Sequence, residues 1–253
     1  FKEREDFMER LKTWVLDHKV PVLIGIGILI VLIIAFALWR TFYYDNKKIV
    51  LGVDVSAYQG EIDWKVISEQ GISFAYIKAT EGTDFIDKRF NENWTAARKT
   101  NLKVGAYFFV NFSESGKGQA EYFIKNVPKE SDSLPPVIDL ELYGDYLDNP
   151  PQRDKVNTML KEMIETLKEE YGETPIIYTN YNTYNQYLSN AFTEVPIWIC
   201  DISSSNPELS GGHKWVFWQY SQRQILQGYD GEERFIDMNV FNGDTKAFKA
   251  MFN

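Results

Sequence analysis

"PVIDLELYGDYLDNPPQRDKVNTMLKEMIETLKEEYGETPIIYTN", residues 136–180, carries a strand pattern, a helix pattern and a second strand pattern in that order. In its middle, Val156, Met159, Leu160, Met163, Ile164 and Leu167 recur at i, i+3, i+4, i+7, i+8 and i+11, the apolar stripe of an amphipathic helix. Gly172 stands where such a helix ends. The flanks, "PVIDLEL" (136–142) and "TPIIYTN" (174–180), are short apolar runs bounded by turn residues and read as buried strands. A strand, a crossover helix and a strand make a parallel pair.

The same alternation extends in both directions. Further strands are expected at "IVLGVDVS" (49–56), "SFAYIKAT" (73–80), "KVGAYFFV" (103–110), "VPIWICDI" (195–202) and "KWVFWQYS" (214–221). Such a series points to a β/α barrel. The last part departs from the pattern, because "SSSNPELSGGH" (203–213) is too polar and too rich in Ser and Gly for a crossover helix. Eight full β/α units take about 250 residues, more than the chain offers after residue 48. The expected fold is α/β: a flattened, incomplete β/α (TIM-like) barrel over 49–253, preceded by a single transmembrane helix.

That helix is read from "VPVLIGIGILIVLIIAFALW", Val20 to Trp39, which contains no charge and at about 1.5 Å per residue reaches roughly 30 Å. The expected organisation is an N-terminal cytoplasmic segment (1–19), the span (20–39), a linker (40–48) and a catalytic domain (49–253). Five Lys and Arg precede the run and three follow it, which places the N-terminus inside the cell and the barrel outside. The alternative is a protein secreted after signal cleavage near Ala37, in "AFA". The acids Glu3, Glu5, Asp6, Glu9 and Asp17 among the leading bases, and the length of the run, favour an uncleaved anchor. Phe7, Met8, Leu11, Trp14 and Val15 fall at helical spacing in the leading segment.

Charge and composition exclude several classes. The formal net charge is −9, and residues 1–48 are basic in balance, so the acid excess lies in the barrel and argues against nucleic acid as a partner. A single cysteine, Cys200, allows no internal disulfide, and its apolar neighbours suggest a buried, inert thiol. With only His18 and His213, the common zinc sites are excluded and a His-based triad has one candidate base at most; His213, in "SGGHKW", is read as a solvated loop residue. No cofactor and no metal are expected.

Asp139 and Glu141 carry the chemistry. Two apart on a strand, they share a face, which at the carboxyl end of a barrel strand is the mouth. Burial and a like charge nearby both raise a carboxyl pKa, so that an acid stays protonated and can donate to a leaving group. Such a pair suits glycosidic cleavage. Alone, D-x-E also fits a salt-bridged strand end. "GVDVSAYQG" (52–60) adds Asp54 and Ser56 on one face, with Tyr58 and Gln59 in the turn, and "RFIDMNVF" (234–241) adds Asp237. Taken singly, Asp54 also fits a turn cap and Asp237 a surface turn.

Together, "GVDVSAYQGEIDW", "SFAYIKATEGTDFIDKRFNENWTAAR", "VGAYFF", "PPVIDLE", "PIIYTN", "WVFWQYS" and "IDMNVFNG" resemble the successive motifs of glycoside hydrolase family 25, the lysozymes (N-acetylmuramidases) of the Chalaropsis type. The resemblance covers about residues 50 to 253 and implies a flattened barrel that cleaves the β-1,4 bond between N-acetylmuramic acid and N-acetylglucosamine in peptidoglycan. It makes Glu141 the general acid, Asp139 its partner, and Asp54 and Asp237 the outer acids of one groove. Tyr107, Tyr178 and Trp218 become site-lining aromatics, Tyr58 a groove residue, and Lys78 and Glu81 neighbours of the mouth. The chain departs from the family at Phe108, where His is frequent, and at "WICDI" with Asp201, where a His-Trp pair is frequent; altered sugar contacts are expected there. Three mechanisms stay open: attack by the substrate's N-acetyl group positioned by Asp139, direct attack by Asp139, and inversion through a water held by Asp54 or Asp237. Two other readings are a catalytically silent, membrane-tethered peptidoglycan-binding module and a chitinase-like barrel, which would need a longer acidic run than "LPPVIDLE" provides.

Overall fold

The helix at the centre of the sequence forms as its stripe predicts. In the computed structural model, which describes residues 2–17, 19–45 and 48–252, it spans Arg153–Tyr171 and buries Val156, Met159, Leu160, Met163 and Leu167. Gly172 ends it in the left-handed region at φ 77, with its N–H bonded to the Lys168 carbonyl, a conformation glycine adopts without a Cβ penalty.

The chain divides into two compact units, Phe1–Lys48 and Ile49–Asn253. The first holds α1 (Lys2–Asp17) and α2 (Lys19–Asp45). Phe7, Met8, Leu11 and Trp14 are exposed on α1; the side chain of Val15, and His18, lie outside the described residues. Val20 to Trp39 lies within α2 as one continuous helix. Its side chains are described without a break only from Gly27 to Trp39, and among the described residues no helix is long and apolar enough to cross a membrane. The structure gives this run helical form and no span, so the transmembrane expectation rests on the sequence.

The second unit runs β1 (Ile49–Val55), α3 (Trp64–Glu69), β2 (Ile72–Glu81), β3 (Phe85–Ile86), α4 (Phe90–Ala97), β4 (Lys103–Phe109), α5 (Gly116–Asn126), β5 (Val137–Asp139), α6 (Arg153–Tyr171), β6 (Ile176–Asn180), α7 (Tyr181–Thr183) with a π-helical turn Tyr184–Leu188, β7 (Ile197–Cys200), β8 (Trp215–Gln224), β9 (Ile236–Asp244) and α8 (Thr245–Phe252). β1, β2, β4, β5, β6, β7 and β8 pair in parallel. β9 lies antiparallel between β8 and β1. Because β1 also pairs with β2, the ring closes; β3 is a short antiparallel addition to β2.

This corrects the expectation of an incomplete barrel. The strands form a closed ring of eight, and what is missing is part of the helical coat, since among the described residues no helix joins β7 to β8 or β8 to β9. Strand β9 was not among the seven expected. Strand β5 is also shorter than the run 136–142, so Glu141 lies beyond its end.

The ring separates two apolar layers. One packs between strands and helices, with Ile77, Phe108, Phe123 and Leu160 among its members. The other fills the lower barrel with Phe74, Tyr76, Trp198, Phe217 and Phe241, and Phe248 of α8 closes it from below. Gly52 and Gly105 make room for these rings: a Cβ at either position would sit 2.3 Å from Phe74 or Tyr76, far inside contact distance.

His213 is buried rather than solvated. Its Nδ1 lies 3.0 Å from the Tyr184 hydroxyl and its Nε2 2.9 Å from the Phe192 carbonyl, so both ring nitrogens have polar partners, as a buried imidazole requires. It pins the helix-free 203–213 connection to the π-helical turn.

Candidate active site

Several strands that line the barrel interior carry a polar side chain nearer the mouth. β1 supplies Asp54, β4 Tyr107, β5 Asp139, β6 Tyr178, β8 Gln219, and β9 Asn239 and Asp237. Asp54 and Asp237 are direct register partners across β1 and β9. The Asn239 amide donates to Asp54 Oδ2 at 2.7 Å, and Gln219 Nε2 donates to Asp54 Oδ2 at 3.0 Å and to Asp237 Oδ2 at 3.3 Å. Gln219 Oε1 accepts from the Tyr178 hydroxyl at 2.9 Å and from Gln222 at 3.1 Å. Trp198 Nε1 donates to Asn239 Oδ1 at 2.8 Å and so orients its amide toward Asp54.

Asp139 ends β5 and is buried, and its Oδ1 has no hydrogen-bond partner among the described residues. Ladder bonds continue beyond the strand: the Val110 N–H donates to the Asp139 carbonyl and the Leu140 N–H to the Tyr178 carbonyl. This extended backbone carries Glu141 into the same cavity as Asp139. Asn180 then fixes it, donating from Nδ2 to Glu141 Oε1 at 2.9 Å while its Oδ1 caps α7 by accepting from the Thr183 N–H at 3.1 Å.

The cavity, about 170 Å³, is lined by Asp54, Asp139, Glu141 and Asp237 together with Tyr107, Val137, Tyr178, Trp198 and Gln222. It adjoins a groove of about 450 Å³ that shares Asp54, Tyr107, Gln222 and Asp237 and adds Tyr58, Glu233 and Phe235. On the Asn180 side lies a hollow of about 320 Å³ lined by Leu142, Leu147, Asn182, Asn185 and Gln186. A cavity of about 410 Å³ beside Pro135, Lys129 and Tyr171 contains none of the four acids.

Burial raises all four carboxyl pKa values, and each is then adjusted by its neighbours. Asp139 stands well above the usual carboxylate range through burial, the Glu141 charge and the Asp54 charge, against the opposing Lys78 charge. Glu141 is raised by burial and by Asp54, and Asn180 opposes the rise. Asp54 is raised by burial, but the amides of Asn239 and Gln219 favour its anion. Asp237 is pushed up to about 8 by burial, Asp54, Glu233 and Glu141. The arrangement can hold a proton on an acid beside a carboxyl whose anion is favoured by two amide donors against its burial.

The other expected residues divide. Tyr107 and Tyr178 line the cavity and Tyr58 the groove. Lys78 pairs with Glu81 at 2.8 Å, lies 5.2 Å from the Phe109 ring, and acts on Asp139 by charge. Trp218 does not line the cavity: it alternates with Gln219, packs beside Trp215 and Tyr220, and donates to the Asp201 carbonyl at 2.7 Å. Trp198 takes the place expected for it. The departures from the family pattern also lie outside the cavity. Phe108 packs against Phe123 in the outer layer, and Asp201 accepts from Ser203 and Ser204, bonds that outweigh its burial and lower its pKa. Cys200 is half-buried, with its thiol pushed up to about 12 by burial.

The sequence profile of glycosyl hydrolases family 25 matches residues 53–229, which contain three of the four acids. The chain belongs to glycosyl hydrolases family 25. This family 25 chain is similar to the structure of a family 25 glycosyl hydrolase from Bacillus anthracis, at 48% identity and a TM-score of 0.76, covering 79% of this chain and 92% of that one. It is similar to the bacterial lysozyme from Streptomyces coelicolor at 32% identity and a TM-score of 0.74, covering 81% and 98%. Lysozyme M1 of Streptomyces globisporus is 33% identical over 229 residues, 85% of this chain and 75% of that protein.

Proposed function

We propose that this family 25 hydrolase is a muramidase that cleaves the β-1,4 bond following N-acetylmuramic acid in peptidoglycan, with Glu141 as proton donor. The observation that supports this most is the pairing of an Asn180-oriented Glu141 with a buried Asp139 Oδ1, unpartnered among the described residues, in one cavity. Glu141 gives its proton to the glycosidic oxygen as that bond breaks. The muramyl N-acetyl oxygen attacks the anomeric carbon from the opposite face, and Asp139 Oδ1 orients and stabilises the N-acetyl group as positive charge develops. The leaving sugar departs, and Glu141, now a carboxylate, takes a proton from the water that opens the cyclic intermediate, so configuration is retained. Asp54, held by two amide donors, supplies negative charge near the oxocarbenium-like centre. Tyr107 and Tyr178 offer the polar and apolar surfaces that a sugar ring meets.

The test is digestion of purified peptidoglycan, followed by borohydride reduction and mass spectrometry. New reduced muramic acid ends are expected from the wild type and none from Glu141→Gln. Protein that pellets with glycan yet releases no new ends would identify a binding module instead.

We further propose that Val20 to Trp39 anchors the protein, with the barrel outside the cell, so that it acts on wall glycan close to its own membrane. The length and lack of charge of this run support the reading. Fractionation of cells is expected to leave the protein in the membrane pellet with its leading segment attached. A mature form starting near Leu38 in the medium would rule the anchor out.

A further inference from the structure

Strands β8 and β9 leave regular register twice near the mouth. Gln219 faces Asn239, Ser221 faces Met238 and Gln224 faces Ile236, so β8 uses one extra residue at each of two steps. Bulges of this kind bend a strand and re-aim its side chains. Gln222 and Arg223, which lie between Ser221 and Gln224 in the second irregular step, both line the groove beside the acid cavity.

Among the described residues, Arg223 is the one cation lining that groove and the acid cavity, where the charged neighbours are otherwise carboxylic. Its backbone N–H is fixed on Ser221 Oγ at 3.3 Å, while its side chain is exposed and makes no ion pair among the described residues. Even Glu233, which lines the same groove, does not take it. An unpaired guanidinium fork fits a carboxylate brought from outside. The substrate's sugar rings are neutral, and its carboxylates lie on the arm carried by the muramyl residue. An acidic cavity repels such an arm, and a cation at its rim offsets that repulsion.

We infer that Arg223 is a specificity residue that binds a carboxylate on the lactyl or peptide arm of the muramyl residue, so that the groove selects acidic wall glycan; this rests on the muramidase reading above. Rates across substrate concentration on three preparations test it: native peptidoglycan, strands stripped of peptide by an amidase, and peptidoglycan whose carboxyls are capped with carbodiimide and glycinamide. Arg223→Gln raises apparent KM about fivefold on at least one uncapped substrate while kcat changes by less than about twofold. Arg223→Lys recovers part of the loss, and added salt weakens the wild type more than the Gln variant. On the capped substrate the wild type and Arg223→Gln converge. An effect confined to native material places the contact on the peptide, and one confined to stripped strands places it on the lactyl carboxylate. Equal KM for wild type and Arg223→Gln on both uncapped substrates overturns the inference. Failure of the wild type to release any reducing muramic ends overturns the muramidase reading instead.

Discussion

The lower and upper halves of the barrel interior are built by the same strands and do opposite things. β1 places Gly52 below and Asp54 above; β8 places Phe217 below and Gln219 above; β9 places Phe241 below, then Asn239 and Asp237. Two residues along a strand keep the face and change the chemistry. Below, Phe217 makes ring contacts with Phe74, Tyr76, Trp198, Phe241 and Phe252. Above, four carboxyls share a small cavity in which burial raises every pKa. The lower half supplies stability by removing apolar area from water, and the upper half gives some of it up to hold reactive acids.

That division can be broken from either side. Glu141→Gln should lower kcat on the order of 10³-fold, the scale of a lost general acid, with the thermal midpoint unchanged or slightly higher. Phe217→Ala should do the reverse: urea unfolding should show a loss of about 3 kcal/mol, while activity per folded molecule stays near wild type. If Phe217→Ala lowered kcat as severely as Glu141→Gln, the two halves would not be separable.

Asp237 sharpens the contrast through pH. Its carboxyl is pushed from an ordinary 3.8 up to about 8, so between those values the folded state holds more protons than the unfolded one. The stability tied to this group is present in full on the acid side and is lost as pH rises toward 8. Asp237→Asn should therefore raise the thermal midpoint at pH 8 by about 3 °C, with little gain at pH 4, while impairing hydrolysis. The smallest effect is expected for Tyr178→Phe, which removes the hydroxyl bonded to Gln219 Oε1 and should lower kcat/KM about fivefold.

Much of this was legible in the sequence, for reasons that differ between elements. The α6 stripe and Gly172 are local signals, and helix and cap formed where they indicated. The four acids were found because carboxyls in apolar strands are rare and each stands in a distinctive motif. Closure of the ring was not legible, because it is made by β9, whose antiparallel pairing with β1, Leu51 with Val240, joins segments almost 190 residues apart that local pattern does not connect. The amides Gln219, Asn239 and Asn180 were missed because a neutral amide carries no signal until the carboxylate it orients is next to it. Trp218 was misplaced for a plainer reason: alternation with Gln219 already put it on the other face. The irregular register around Gln222 and Arg223 depends on pairing with β9, which was not among the expected strands.

The central claim is that the barrel holds Glu141 above the usual carboxyl range, so that it carries a proton to the substrate. Carbon-13 NMR titration of the Glu141 side-chain carboxyl, in the wild type and in Asp54→Asn, tests it most directly. The account predicts a midpoint above 4.5 that falls when the Asp54 charge is removed. A Glu141 carboxyl that titrates at or below 4.5, or that ignores the loss of Asp54, would contradict it.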